Sequence, residues 1–224
     1  MKIMNLLLTA TISVTTLFFI SCNKNDNTDS NSGIKYKLQT TNRSSIVGRI
    51  NAGNIQWTSG SGYATEIKFE AESNNREIEF KSQVPQRIDL FTGIITLGNI
   101  TLPPGMYDEV EFKVELNSSG SNSAFELLGQ FTSGSNTTPV VFKVNSPLEI
   151  ETERNNVVIT DNNSYTALTT LNLSLLTRGV TESMLNSAAR TNGTILISSS
   201  TNTNIYSIIL NNLHESDGVE FEDD

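Results

Sequence analysis

Glu66-Ile67-Lys68-Phe69-Glu70-Ala71-Glu72 alternates charged and apolar residues without a break, and Glu77-Ile78-Glu79-Phe80-Lys81 repeats the pattern. A strand points successive side chains to opposite faces, so this period sorts the apolar residues onto one side. A helix would scatter them around its circumference. Ser73-Asn74-Asn75-Arg76 separates the runs. Asn tolerates positive φ, so the segment predicts a hairpin. Ile67, Phe69, Ile78 and Phe80 are expected in the core, with the Glu and Lys residues in water.

The pattern recurs outward from that hairpin. From Glu109 to Leu116, Val110, Phe112, Val114 and Leu116 point inward while Glu109, Glu111, Lys113 and Glu115 point outward. Val140–Val144, Leu148–Glu151 and Val157–Ile159 read as further strands. Pro103-Pro104-Gly105 predicts a sharp reversal. Trp57-Thr58-Ser59-Gly60-Ser61 and Phe131-Thr132-Ser133-Gly134-Ser135 are near copies, read as two similar hairpin tips. Asn117–Ser123 is a third polar loop. Short strands separated by Asn, Gly and Pro predict a mainly β fold, an antiparallel β-sandwich of the transthyretin/immunoglobulin-like kind.

The C-terminal quarter changes character. Leu171, Leu173 and Leu175 alternate like a strand, while Leu168, Leu171 and Leu175 also fit a helix; the many Thr favour the strand. Thr181 offers an N-cap for a short helix, Glu182–Ala189, burying Met184, Leu185 and Ala188. Thr194–Ser198 reads as a strand. Asn204–Leu213 carries Ile205, Ile208, Ile209 and Leu213 at helical spacing, with Asn at the cap. One or two short C-terminal helices are therefore expected, with Val219–Phe221 as a short edge strand.

The N-terminus has a different logic. Met1-Lys2 is a short positive region, and Leu6–Ile20 is apolar, uncharged and studded with Thr and Ser. This is the layout of a secretory signal. It is short for a membrane span, and no basic cluster follows it. The only Cys of the chain, Cys22, follows Ser21 at the end of this run. These residues resemble the lipobox of bacterial lipoproteins. The resemblance implies cleavage before Cys22 and a lipid carried on its thiol; the bland alternative is an ordinary signal with a free Cys nearby. Removing residues 1–21 takes away one Lys and no acid, moving the formal charge from -9 to -10. Several acyl chains exceed the two signals that stable anchoring requires. Residues 23–33 contain no apolar side chain and read as a tether. Its coil dimensions give a reach of about 18 Å. Asp26 and Asp29, soon after the Cys, resemble the export signals of Bacteroidota-type surface lipoproteins. The expected organisation is signal 1–21, lipidated Cys and tether 22–33, sandwich 34–214 and acidic tail 215–224.

Composition excludes several chemistries. The chain has 224 residues with one Cys and one His, too few for a zinc site of those ligands or for a disulfide. With 24 acids against 15 bases, nonspecific nucleic-acid binding is disfavoured. The strand acids read as a solvated face with ordinary pKa values. His214 follows a helix and reads as a charge at its C-terminal end. Asp161-Asn162-Asn163-Ser164 and the acidic tail offer oxygens for calcium, but without EF-hand spacing. No metal and no cofactor is assigned.

Ile88-Asp89-Leu90, Leu102-Pro103-Pro104-Gly105-Met106-Tyr107 and Val110-Glu111-Phe112 together resemble a pattern in bacterial lipoproteins of the domain-of-unknown-function 4382 type. The similarity covers roughly residues 45–160. It implies a secreted, β-sandwich-like domain without an assigned reaction.

The functional expectation is a non-enzymatic binding or structural module. It sits on the bacterial outer membrane by a lipid at Cys22, surface-exposed, with the periplasmic face as the alternative. Its partner would be a glycan or a protein. Trp57 and Tyr63 are the ligand-binding candidates, since aromatics at hairpin tips stack on sugars. Two other readings stay open: a carboxylate-dependent hydrolase using Asp89, Asp108 or Asp161, and a subunit of an adhesive assembly.

Overall fold

The computed structural model describes residues 32–41, 55–74, 76–83 and 85–214, and the backbone of 217–223. Cys22, the signal and the tether lie outside the described residues. The chain runs β1 (Ser32–Thr41), β2 (Ile55–Ser73), β3 (Arg76–Ser82), β4 (Gln86–Asp89), β5 (Ile95–Leu102) and β6 (Gly105–Leu116). It continues through β7 (Phe125–Ser133), β8 (Asn136–Val144), β9 (Leu148–Ile159) and β10 (Ser164–Asn172). The last part holds α1 (Glu182–Asn186), β11 (Arg190–Thr191), β12 (Thr194–Ile197), α2 (Thr203–His214) and β13 (Asp217–Asp223).

Two sheets form. One has the order β13-β10-β1-β5; the other has β11-β12-β8-β7-β2-β6-β9, with β3 and β4 also paired to β2. The expected mainly β, sandwich-like fold with two short C-terminal helices is what the sequence adopts. Two pairings are parallel rather than antiparallel: β1 with β10, and β8 with β12. Parallel neighbours require a long crossover, and each pair is widely separated in the chain. Such pairings leave no local turn signal.

β2 is the spine of the larger sheet, at 19 residues. On one flank it pairs with β6 over Ala64–Glu72 and with β7 over Ile55–Gly62. On the other it pairs with β3 over Ile67–Ser73 and with β4 over Ser61–Ala64. Both flanks are thus interrupted near residues 63–66, where β2 itself carries a register shift between Ala64 and Glu66.

The core joins the sheets through aromatic rings. Tyr36 of β1 stacks on Phe112 of β6 at 4.6 Å between centroids, and Phe69 meets Phe112 at 4.9 Å. Buried hydroxyls cross the same interface. Thr152 donates to the Phe112 carbonyl at 3.3 Å and lies 3.1 Å from the Thr169 hydroxyl, which donates to the Tyr36 hydroxyl at 3.3 Å. Each buried hydroxyl is thereby partnered. Toward the other end of β2, Phe142 of β8 packs on Phe125 and on Tyr206 of α2.

Local chemistry explains the helical region. The Thr181 hydroxyl accepts from the Met184 N–H at 3.2 Å, capping α1 as expected. Leu185 is buried, with Met184 and Ala188 half-buried against the core. Asn202, at φ 54°, precedes α2. Its amide bonds the Ala189 N–H and the Ala189 and Leu196 carbonyls, tying three segments together.

Several expectations are corrected. Phe80 is 43% exposed. It stands opposite Phe69 and shares its face, but β3 is an edge strand one position farther out. Leu148–Glu151 and Val157–Ile159 belong to one strand, β9. Strand β10 ends at Asn172, whose side-chain oxygen accepts from the Ser174 N–H and hydroxyl. That turn diverts Leu173 and Leu175 from the strand. The acidic tail is not wholly a solvated extension: Asp217–Asp223 pairs antiparallel with β10, longer than the expected Val219–Phe221.

The segment Trp57–Ser61 is not a hairpin tip but the interior of β2. Its glycine serves close packing instead of a turn. A Cβ on Gly60 would lie 2.4 Å from Leu127 Cδ2, and one on Gly129 would lie 2.8 Å from Trp57 Cε3. Its near copy does form a tip, the β7–β8 turn with Gly134 at φ 58°.

Candidate functional site

The interruption beside β2 creates a polar notch. The Tyr63 N–H donates to the Ala124 carbonyl and the Asn117 N–H donates to the Tyr63 carbonyl, both at 3.0 Å. Within an antiparallel strand, the N–H and C=O of one residue point to the same side. One residue therefore holds both stems of the loop between β6 and β7. Asn117 Nδ2 also donates to the Thr65 hydroxyl at 2.8 Å. The loop closes on itself through Ser119 and Asn122, with Gly120 at φ 60° making the turn.

Ser61, Gly62, Tyr63, Arg87, Ser121, Asn122, Ser123 and Glu126 line the notch, whose volume is about 50 Å³. Arg87 is opposite Tyr63 on β4, and Glu126 is opposite Ser61 on β7. Arg87 Nη2 donates to the Ser61 hydroxyl at 3.2 Å, and Glu126 lies 3.5 Å from the Lys143 ammonium. The Ser123 hydroxyl is buried with no hydrogen-bond partner among the described residues. A cavity of this size takes one or two water-sized groups. Hydroxyls, an amide, a guanidinium and a carboxylate beside an aromatic side chain suit a small polyhydroxylated group. Glu126 is the only carboxylate of the lining, so the notch lacks the paired acids of glycoside hydrolysis.

The sequence singled out Tyr63 and the loop Asn117–Ser123 separately, and the fold brings them together. It adds Arg87 and Glu126, which no local signal indicated, because their proximity to Tyr63 depends on strand pairing. Trp57 goes the other way. It is 2% exposed and sealed in the core, so it has no free face for a sugar.

A second feature is the outward face of β9, β6, β2 and β3. Register places Glu153, Glu111, Glu70 and Glu79 side by side across four strands. Glu109, Glu72 and Glu77 form the adjoining row. A row of Glu151, Lys113, Lys68 and Lys81 lies on the other side. Lys113 bonds Glu111 at 2.9 Å and Glu151 at 3.0 Å, and these carboxylates hold its pKa well above the ordinary lysine value. Lys68 is raised by Glu115 in the same way. Glu66 is lowered, first by the Gln83 amide that donates to it and then by Lys68. Glu109 is raised, first by desolvation and then by Glu153, Glu72, Glu111 and Glu151. The face is thus not a uniformly solvated one with ordinary pKa values, as the alternation alone suggested. Like charges directly opposite one another are destabilising.

The remaining candidates are dispersed. Asp89 accepts from the Phe91 N–H at 2.9 Å and shapes the turn after β4. Asp108 is exposed on β6, and Asp161 is exposed in the β9–β10 turn beside Asn162 at φ 59°. In that turn Asn163 donates to the Thr160 hydroxyl, so its polar groups serve the turn itself. Among the described residues no group of three His, Cys, Asp or Glu side chains is placed to hold a metal. His214 closes α2, as expected, and with Pro147, Leu148, Glu149 and Glu151 borders a hollow of about 380 Å³.

No protein-family model, curated protein or solved structure matches the chain. Among the described residues no helix is long and apolar enough to cross a membrane.

Proposed function

We propose that this protein is a lipid-anchored, non-enzymatic binding module of the bacterial outer membrane, displayed on the cell surface, whose notch at Tyr63 holds a glycan group. The observation that carries the reading is the convergence of Tyr63, Arg87, Asn122 and Glu126 around a small polar cavity. Donors and acceptors in fixed positions around a cavity give orientation and specificity to a neutral polar ligand. The anchor reading rests on the lipobox-like Phe19-Ile20-Ser21-Cys22 and the apolar-free stretch after it. The resemblance to the domain-of-unknown-function 4382 type belongs to the same proposal. Its quoted residues fall on β4, on the Pro103-Pro104 corner and on β6.

A glycan array probed with the protein tests the binding half. Binding that falls at least about tenfold in Tyr63→Ala and in Arg87→Ala supports it. No binding, or binding indifferent to both substitutions, overturns the notch as the site. Release of a cleaved sugar from a bound glycan would move the protein to the hydrolase reading. Metabolic labelling with radioactive palmitate tests the anchor: label must enter the wild type and not Cys22→Ala. Protease shaving of intact cells separates the outer face from the periplasmic one.

A further inference from the structure

The larger sheet pairs its lysines but leaves the arginine of the notch without an acid. Lys68 bonds Glu66 and Glu115, Lys81 bonds Glu79, Lys113 bonds Glu111 and Glu151, and Lys143 bonds Glu126. Among the described residues Arg87 has one hydrogen-bond partner, the Ser61 hydroxyl at 3.2 Å, and no carboxylate. Most N–H donors of its guanidinium are therefore unused. The Ser123 hydroxyl, on the same cavity, is buried with no partner among the described residues. A buried hydroxyl is costly to leave unsatisfied. The Asn122 side chain lines the cavity beside them.

Two acids share this face, and each is already engaged. Register sets Asp89 and Glu126 on either side of Ser61, with Lys143 beyond Glu126. Glu126 lies 3.5 Å from the Lys143 ammonium, and Asp89 accepts from the Phe91 N–H at 2.9 Å. Arg87 is the charge left unanswered at the notch. A neutral sugar would use the hydroxyls and the amide and leave that charge as it is. The cavity, at about 50 Å³, takes one or two water-sized groups. A carboxylate offers two coplanar oxygens of that size, and the planar guanidinium fork matches them. A sulfate ester brings three free oxygens in a tetrahedral arrangement.

We propose that the group seated in the notch is the carboxylate of an acidic sugar, a uronic acid, held by Arg87 with the Ser123 hydroxyl and the Asn122 amide as further donors. The sugar ring, too large to enter, lies outside the cavity against half-buried Tyr63. The inference rests on the reading of the notch as a glycan site and names the class of sugar. The formal charge of -9 repels an acidic glycan at long range. Salt screens exposed charges beyond about 8 Å, so the contact at Arg87 decides the preference.

Matched ligands separate this inference from the one beneath it. Full-length protein is titrated calorimetrically with oligomers of galacturonate, glucuronate and mannuronate, each beside its carboxyl-reduced, neutral form. The wild type is expected to bind one acid form at least roughly tenfold more tightly than its neutral form. Arg87→Gln is expected to bring the two forms within about twofold of each other. Glu126→Gln removes the one carboxylate of the lining and is expected to widen the preference for the acid. Arg87 is exposed, and matched unfolding curves verify that the variants stay folded. Equal binding of both forms, lost in Tyr63→Ala and Arg87→Ala, overturns the carboxylate and leaves the glycan site standing. An acid preference that survives Arg87→Gln overturns the notch as its seat. A sulfated oligosaccharide bound as tightly as the acid form overturns the choice of carboxylate over other anions. Binding of neither form overturns the uronic acid, and the array of neutral glycans then decides the glycan reading by itself.

Discussion

β2 divides into two halves that solve the same problem differently. Its C-terminal half, Glu66 to Ser73, alternates strictly and packs large side chains, with Phe69 against Phe112. Its N-terminal half, Ile55 to Ala64, packs by subtraction. Gly60, Gly62 and, across the pair, Gly129 leave room for Leu127, Leu116 and Trp57. The first half is stabilised by what its side chains fill and the second by what its glycines omit. The lesson is that glycine in a β protein marks either a turn or a close approach, and composition alone does not separate them.

Removing a ring from the filled half should give the largest effect. Phe112→Ala empties the contact shared by Tyr36 and Phe69, and a loss of about 3–5 kcal/mol is expected in denaturant unfolding. Equal losses at Phe112 and at exposed Phe80 would break the comparison. Next comes the omitted half. Gly129→Ala sets a Cβ 2.5 Å from the Gln56 carbonyl oxygen, which is backbone and yields little. The expected loss is about 1–3 kcal/mol. Gly98→Ala, with nothing within 4 Å, is its control and should change stability by about 0.5 kcal/mol or less.

A smaller effect is expected on the outward face, and it has a sign. The folded-state pKa of Glu109 is raised above 4.5, so the folded chain binds this proton more readily than the unfolded one. Stability linked to Glu109 is then present below pH 4.5 and is lost as pH rises through the raised folded value. Glu109→Gln should therefore stabilise the protein at pH 7, with the advantage closing as pH falls below 4.5. An advantage that persisted unchanged in acid would refute the charge explanation. The least effect is expected at Phe80, where Phe80→Ser removes a ring already 43% exposed and should cost no more than about 0.5–1 kcal/mol.

Legibility followed the range of the physics. The β2–β3 hairpin was readable because its alternation and its Asn turn are both local. The α1 cap at Thr181 was readable for the same reason. The notch was half-readable. Tyr63 and the Asn117–Ser123 loop stood out as aromatic and polar features, but Arg87 and Glu126 are placed by pairing across β4 and β7. Trp57 lies in the interior of β2 rather than at a tip, and local sequence does not show this, because Gly60 resembles a turn residue until Leu127 is seen to occupy the space beside it.

By itself the sequence determined the strand class, the inward set of most strands, the two short helices and the polarity of the outward faces. These follow from side-chain period and capping, which act over a few residues. Tertiary structure alone decided that β1 and β10 lie parallel, that a long β2 carries an interrupted strand on each flank, and that Glu residues from four strands fall in one row. Register between strands distant in the chain is set by the packing of both faces together, and no window of sequence contains both partners.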